Sequence, residues 1–254
     1  MKILSKKNLR PIFVRRYVIL LIASFIFLSC SNEDDLPEKI EFFQILSIGD
    51  SRVEGHETDF VSYRYELWKL LKSEDKDVDF LGTRIDERIY PNFQDTPFDT
   101  NHEGKGGDKT NEVLGRLDSL IVNNPDMIGN VALLGIGGND LVQGVPVDNS
   151  LRYLNLIIDK LQETNASMTI FIEKIAPGTT SFQESSDLDQ ARYIAFNNAI
   201  SDIAINKTTL LSRVVVVDMS AILTDEDYAD NVHYNQLGAQ KVANQYFDAM
   251  QILF

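Results

Sequence analysis

The chain has a single cysteine, only three histidines, and few cations beyond its first residues. With no partner for Cys30, no intrachain disulfide can form. The histidines are His56, His102 and His233, and two of them fall in unrelated stretches, which leaves too few imidazoles for a metal site. Lysine and arginine total 24 against 38 acids, for a formal net charge of −14. Six of those cations sit in residues 1–29, which hold no acid, so the remainder stands at −20. A surface that acidic repels phosphate backbones, so nucleic acid is not an expected partner. It also disfavours charge-driven docking on an anionic membrane. Internal repeats and a second linker are missing too, which points to one domain.

The first forty residues read as a targeting segment and a tether. A basic stretch ends at Arg16, and residues 17–28 (YVILLIASFIFL) form an apolar run of secretory h-region length. That run is shorter than the roughly 20 residues a membrane span needs. Cys30 follows directly on Leu28-Ser29. The pattern resembles a bacterial lipobox, with Phe27 where Leu is usual. The resemblance implies that Cys30 is lipidated and becomes the first mature residue; a plain signal peptide with a spare thiol is the alternative. Residues 31–39 (SNEDDLPEK) are polar and acidic and read as a solvated tether. The expected organisation is a signal peptide over 1–29, a tether over 30–40 and one domain over 41–254. Such a protein is exported and held on the bacterial outer membrane by lipid, facing the periplasm or the cell exterior.

At 44% hydrophobic residues, the domain can bury a sizeable core. Its organising stretch is residues 42–51 (FFQILSIGDS), an apolar run that ends in Gly-Asp-Ser. Such a run reads as a buried parallel strand. Four more follow at 77–82, 130–136, 168–175 and 214–219. Between them, helical spacing predicts helices over 59–75, 111–122, 149–164, 188–206 and 235–253. Phe60, Tyr63, Leu67, Leu70 and Leu71 line one side of the first. Ala191, Ile194, Ala195, Ala199 and Ile203 are expected inward on the fourth. Residues 83–107 are long, aperiodic and Pro- and Gly-bearing, and loops of that length are usually functional. Strands alternating with helices predict an α/β domain with a parallel sheet covered on both faces.

Ser51 sits just past the carboxyl end of the first strand, where open α/β sheets place their ligands. Three other stretches fall after strands or before helices on the same edge: GKGGDKT at 104–110, GGND at 137–140 and DNVH at 230–233. Any one of these is a weak pattern. Gly-Asp-Ser alone could be a turn or helix cap, Asn139 could cap the next segment, and Asp-x-x-His could be a surface pair.

Together they resemble the SGNH, or GDSL-type, serine hydrolase family. Gly49-Asp50-Ser51, Gly107 within GGDKT, Gly137-x-Asn139-Asp140 and Asp230-x-x-His233 match its four blocks in order, across nearly the whole mature domain. The resemblance implies a single-domain, three-layer α/β/α sandwich with a five-stranded parallel sheet, flavodoxin-like in plan, and no cofactor. Ser51 would attack an ester carbonyl, but a serine hydroxyl needs a base. His233 would take its proton and return it to the leaving alcohol. Asp230 would orient the imidazole and stabilise its charged form. The family pattern implies an oxyanion hole from the backbone N–H groups of Ser51 and Gly107 and the side-chain amide of Asn139. Gly107 would suit that place because a side chain there would crowd the incoming acyl group.

Residues 62–84 and His102-Glu103-Gly104 look like family members that remove acetyl groups from xylan and related glycans. The chain departs from them at Lys105 and Asp108, where His and Trp are common. On that resemblance His102, Glu103 and Asp108 are expected to bind substrate, with a solvated loop as the alternative for the first two. The expected partner is an acetylated carbohydrate or another small ester. A lipase, lysophospholipase or thioesterase acting on acyl esters is the second reading. A non-catalytic glycan-binding surface lipoprotein is the third.

Overall fold

In the computed structural model the described residues are 42–56, 59–185 and 189–254. The signal peptide, Cys30 and the tether lie outside them. Strand β1 (Phe42–Gly49) is at the centre of the sheet, and all but its first residues are largely buried. On one side it pairs in parallel with β5 (Val131–Gly135), followed in parallel by β6 (Thr169–Lys174) and β7 (Val214–Asp218).

The other side of β1 is shared. Its first half pairs with β2 (Asp77–Leu81), and its last two residues pair with β4 (Asn101–Gly104). A two-residue strand, β3 (Arg84–Ile85), runs antiparallel to β4. The sheet therefore has seven strands, not the five expected. The additions come from the stretch that read as aperiodic. Two residues cannot show an alternation, and β4 (NHEG) has no aliphatic residue to mark it.

Alternation along β1 sorts the core into two layers. Leu46 and Ile48 face helices α3 (Thr110–Asn123), α5 (Val147–Thr164) and α7 (Gln190–Lys207). Phe43 and Ile45 face α2 (Arg64–Ser73) and α8 (Gln236–Met250). The three-layer sandwich is as expected. Two details differ. The segment before α2 is a turn and irregular chain, tied down by Val61 N–H donating to the Tyr234 carbonyl at 3.0 Å, and the helix begins at Arg64 and not at 59. On α7 the inward face is Tyr193, Phe196, Asn197, Ile200, Ile203 and Ala204, while Ile194 is 53% exposed. The alanines at 191, 195 and 199 mimic a stripe, but the larger apolar area of Tyr193, Phe196 and Ile200 decides which face turns in.

The strands end level with one another. Gly49 is in register with Gly135 on one side and Gly104 on the other. A Cβ at Gly49 would stand 2.1 Å from the Gly135 carbonyl oxygen, and one at Gly104 would stand 2.5 Å from the Glu54 nitrogen. This row of bare backbone carries the turn that holds Ser51.

Candidate active site

Ser51 opens the one-turn helix α1 (Ser51–Glu54) directly after β1. Asp50 caps it: its Oδ1 accepts from Arg52 N–H at 3.0 Å, and its carbonyl accepts from Val53 and Glu54. Burial raises the Asp50 carboxyl, with the Arg52 charge and amide opposing. This is the role of a helix cap, distinct from that of the serine next to it.

The 230–233 loop brings His233 to that hydroxyl. His233 Nε2 lies 2.8 Å from Ser51 Oγ, across 182 positions of sequence. His233 Nδ1 lies 2.7 Å from Asp230 Oδ2. Asp230 Oδ1 meanwhile accepts from the Val232 and His233 amides, each at 2.8 Å. Burial alone would raise the Asp230 carboxyl, but those amides and the imidazole outweigh it and hold it below its usual range. A charged carboxylate only accepts, so Nδ1 carries the hydrogen and Nε2 is left to accept from Ser51. Phe60 stacks on the imidazole at 3.9 Å between centroids and 13° between planes, which fixes the plane of the ring. Sequence reasoning placed Phe60 in a helix core. Its true neighbour comes from 173 positions away, a contact no local pattern signals.

The 105–108 turn lies on the opposite flank. Lys105 N–H donates to the Gly49 carbonyl at 3.0 Å, and Gly106 N–H donates to Glu54 Oε2 at 2.5 Å. Glu54 also pairs with Arg84. Gly107 adopts φ +80°, which a side chain would strain. A Cβ there meets nothing within 4 Å, so backbone conformation, not protein crowding, accounts for this glycine. Asn139, in α4 (Gly138–Val142), donates from Nδ2 to the Asp108 carbonyl at 3.0 Å. One amide hydrogen is used there, and the group has two. Asp140 is buried and accepts from the Thr110 amide and hydroxyl at 2.9 and 2.6 Å, which ties the start of α3 to α4.

His102, Glu103 and Asp108 are neither pocket walls nor a solvated loop; all three are buried in the scaffold. Glu103 accepts from Thr83 and, at 2.8 Å, from Arg116 Nη1. Asp108 accepts from Arg116 Nε at 2.7 Å. Arg116, on α3, also donates to the Gly49 carbonyl at 3.1 Å. These acids therefore secure the turn, and their partner arginine gave no signal within an amphipathic helix. His102 Nδ1 accepts from Gly104 N–H. Burial, reinforced by the charges of Arg64 and Arg84, pushes its imidazole down to about 3.

A cavity of about 100 Å³ opens beside Ser51 and His233. Asn139 and Asp50 supply polar edges; Leu141, Val142, Ile175 and Phe182 supply apolar walls. Gly107, His102, Glu103 and Asp108 do not line it. Among the described residues no cluster of His, Cys, Asp and Glu could hold a metal, and no helix is long and apolar enough to cross a membrane. The arrangement provides a hydroxyl, an imidazole able to take its proton, and a carboxylate behind the imidazole. That is the chemistry of acyl transfer through a serine.

Residues 47–241 match the family described as GDSL-like lipase/acylhydrolase. Three solved structures superpose over 84% of this chain at 24% identity. They are an acetyl esterase mutant with an acetate ion (TM-score 0.68, 98% of that chain), a carbohydrate esterase family 3 protein from Talaromyces cellulolyticus (0.68, 98%) and a family 3 carbohydrate esterase from Clostridium thermocellum (0.67, 97%). At that identity the likeness is one of fold. No curated protein matches the chain in sequence.

Proposed function

The chain belongs to the GDSL-like lipase/acylhydrolase family and is an ester hydrolase, and from that premise we propose that it removes O-acetyl groups from carbohydrates with Ser51 as nucleophile. The observation that carries this reading is the continuous relay from Asp230 through His233 to Ser51, at 2.7 and 2.8 Å. Ser51 Oγ attacks the ester carbonyl as its proton passes to His233 Nε2. The imidazolium, stabilised by Asp230, returns that proton to the departing sugar hydroxyl. Water then attacks the acetyl-serine by the same route in reverse, releasing acetate. The Ser51 amide and the Asn139 side chain, both on the cavity, donate to the oxyanion; the family pattern adds the Gly107 amide, which lies outside the cavity lining. For Asn139 this requires the hydrogen not spent on Asp108.

Two features favour a short acyl group on a sugar. The cavity, at about 100 Å³, is smaller than the ~150 Å³ apolar cavity that admits benzene. The similar solved structures are described as an acetyl esterase and as carbohydrate esterases. The apolar walls at Leu141, Val142, Ile175 and Phe182 favour a second reading, hydrolysis of longer acyl esters. A panel of aryl esters of rising chain length, run beside acetylated xylo-oligosaccharides and with Ser51→Ala as control, separates them. We expect an acetyl optimum and release of acetate from the glycan; a long-chain optimum overturns the acetyl assignment. The proposal extends to export and anchoring through lipid on Cys30. Membrane partitioning unchanged in Cys30→Ala refutes that part.

A further inference from the structure

Arg52 follows the serine directly on a helix of a single turn, and it is half-buried. Its Nε donates to the carbonyl of Val232 at 3.0 Å, and its Nη1 donates to the carbonyl of Ala176 at 2.9 Å. Val232 is the residue before His233. Ala176 is in the segment that leaves β6 and, like Val232, lines the cavity. The guanidinium also lies over the Tyr234 ring, 5.4 Å from its centroid. One side chain thus holds the backbone at two points of the cavity lining, one of them next to the imidazole.

The two gripped loops already hold each other. Thr179 N–H donates to the Asn231 carbonyl at 2.9 Å, and a Cβ on Gly178 would stand 2.6 Å from the same oxygen. Those contacts make the loops one body, but they run from loop to loop. Arg52 reaches from that body to the turn bearing the nucleophile. A planar guanidinium suits the task, because it donates in two fixed directions at once and stays charged at any working pH.

We infer that Arg52 is the positioning residue that sets His233 against Ser51 and fixes the width of the acyl cavity, by pinning Val232 and Ala176 to α1. The inference rests on the reading of Ser51 and His233 as nucleophile and base. Arg52 need not touch the ester; it acts through the backbone of the residue next to the base. Misplacing a reacting group by 1 Å typically costs about 10²-fold in rate. Releasing Ala176 and Val232 lets the cavity widen, so acyl preference changes along with rate.

The test compares Arg52→Met and Arg52→Lys with the parent enzyme on aryl acetate and aryl butyrate, together with a thermal unfolding midpoint. In Arg52→Met we expect kcat on acetate to fall about 10²-fold with KM little changed, and the acetate-over-butyrate preference to narrow. Labelling of Ser51 by a fluorophosphonate should slow in parallel. Arg52→Lys should recover part of kcat, because one ammonium cannot span both carbonyls. Two results overturn the inference: a folded Arg52→Met with parental kcat and acyl preference, or a loss of kcat that only tracks the loss of folded protein. Ser51→Ala is run alongside. Turnover retained there removes the reading on which the inference rests; turnover lost there with Arg52→Met unaffected removes the inference alone.

Discussion

The two flanks of Ser51 are built on different principles. On the glycine-turn flank, residues 105–108 are held by charge: Arg116 is shared between Glu103 and Asp108, and Glu54 is shared between Gly106 N–H and Arg84. Several side chains from α1, β3, β4 and α3 meet there, so the turn has more than one support. On the histidine flank most of the holding is main-chain hydrogen bonding, Ala229 N–H to the His233 carbonyl, Val61 N–H to the Tyr234 carbonyl and Thr179 N–H to the Asn231 carbonyl, to which one guanidinium and one stacked ring are added. The proposed oxyanion donors need only stand still, so a redundant ionic frame serves them. A base must meet its nucleophile at hydrogen-bonding distance, so on the proposed reading the other flank has to fix one ring against one hydroxyl. The difference teaches that damage to the charged flank should appear first as lost stability, and damage to the other as lost rate.

The largest expected effect on rate lies at Asn139, which lines the cavity and holds the 105–108 turn. Asn139→Ala removes a donor from the proposed oxyanion site and unties Asp108. We expect kcat on an aryl acetate to fall about 10²–10³-fold with the unfolding midpoint nearly intact. If rate and stability fall together, the division of labour between the flanks is wrong. Next comes Arg116→Met, which leaves Glu103, 5% exposed, without its cation and Asp108, 6% exposed, with only the Lys105 ammonium at 3.7 Å. Breaking such a pair typically costs about 3–5 kcal/mol, to be read from urea unfolding. A variant with parental stability but a lost rate breaks the comparison from the other side. The smallest effect belongs to His102→Gln. The native imidazole titrates at about 3 and the unfolded one near 6.5, so between those values the unfolded chain binds the extra proton. Stability contributed by this group is therefore complete above pH 6.5 and drains away as pH falls toward 3. Replacing His102 by Gln should flatten the stability curve in that window. An unchanged slope shows that His102 is not buried neutral.

What could be read from the sequence follows from how each element is held. β1, β5, β6 and β7 are covered on both faces, so their apolar runs announce them. β3 and β4 exist through pairing with distant neighbours, and nothing in RI or NHEG says so. Ser51, Asp230 and His233 were legible because short spacings fix a turn and a loop, and the structure brings these residues to within hydrogen-bonding reach. His102 and Glu103 misled because polar residues in an aperiodic stretch look solvated, whereas they are buried behind Arg64, Arg84 and Arg116. Arg52 was passed over for a related reason: after a tight turn, an arginine ordinarily points to water. Its partners are backbone oxygens more than a hundred positions away, and backbone oxygens carry no sequence signature.

The level row of Gly49, Gly104 and Gly135 carries a consequence for how such an enzyme can diversify. α1 has four residues, too few to be stable alone, so its height is set by the plane of main chain on which it rests. Most of the remaining cavity lining comes from segments after β5, β6 and β7. New specificities can therefore be tried on the walls while the foundation stays put, and a methyl group added to that foundation would shift Ser51 against every wall at once.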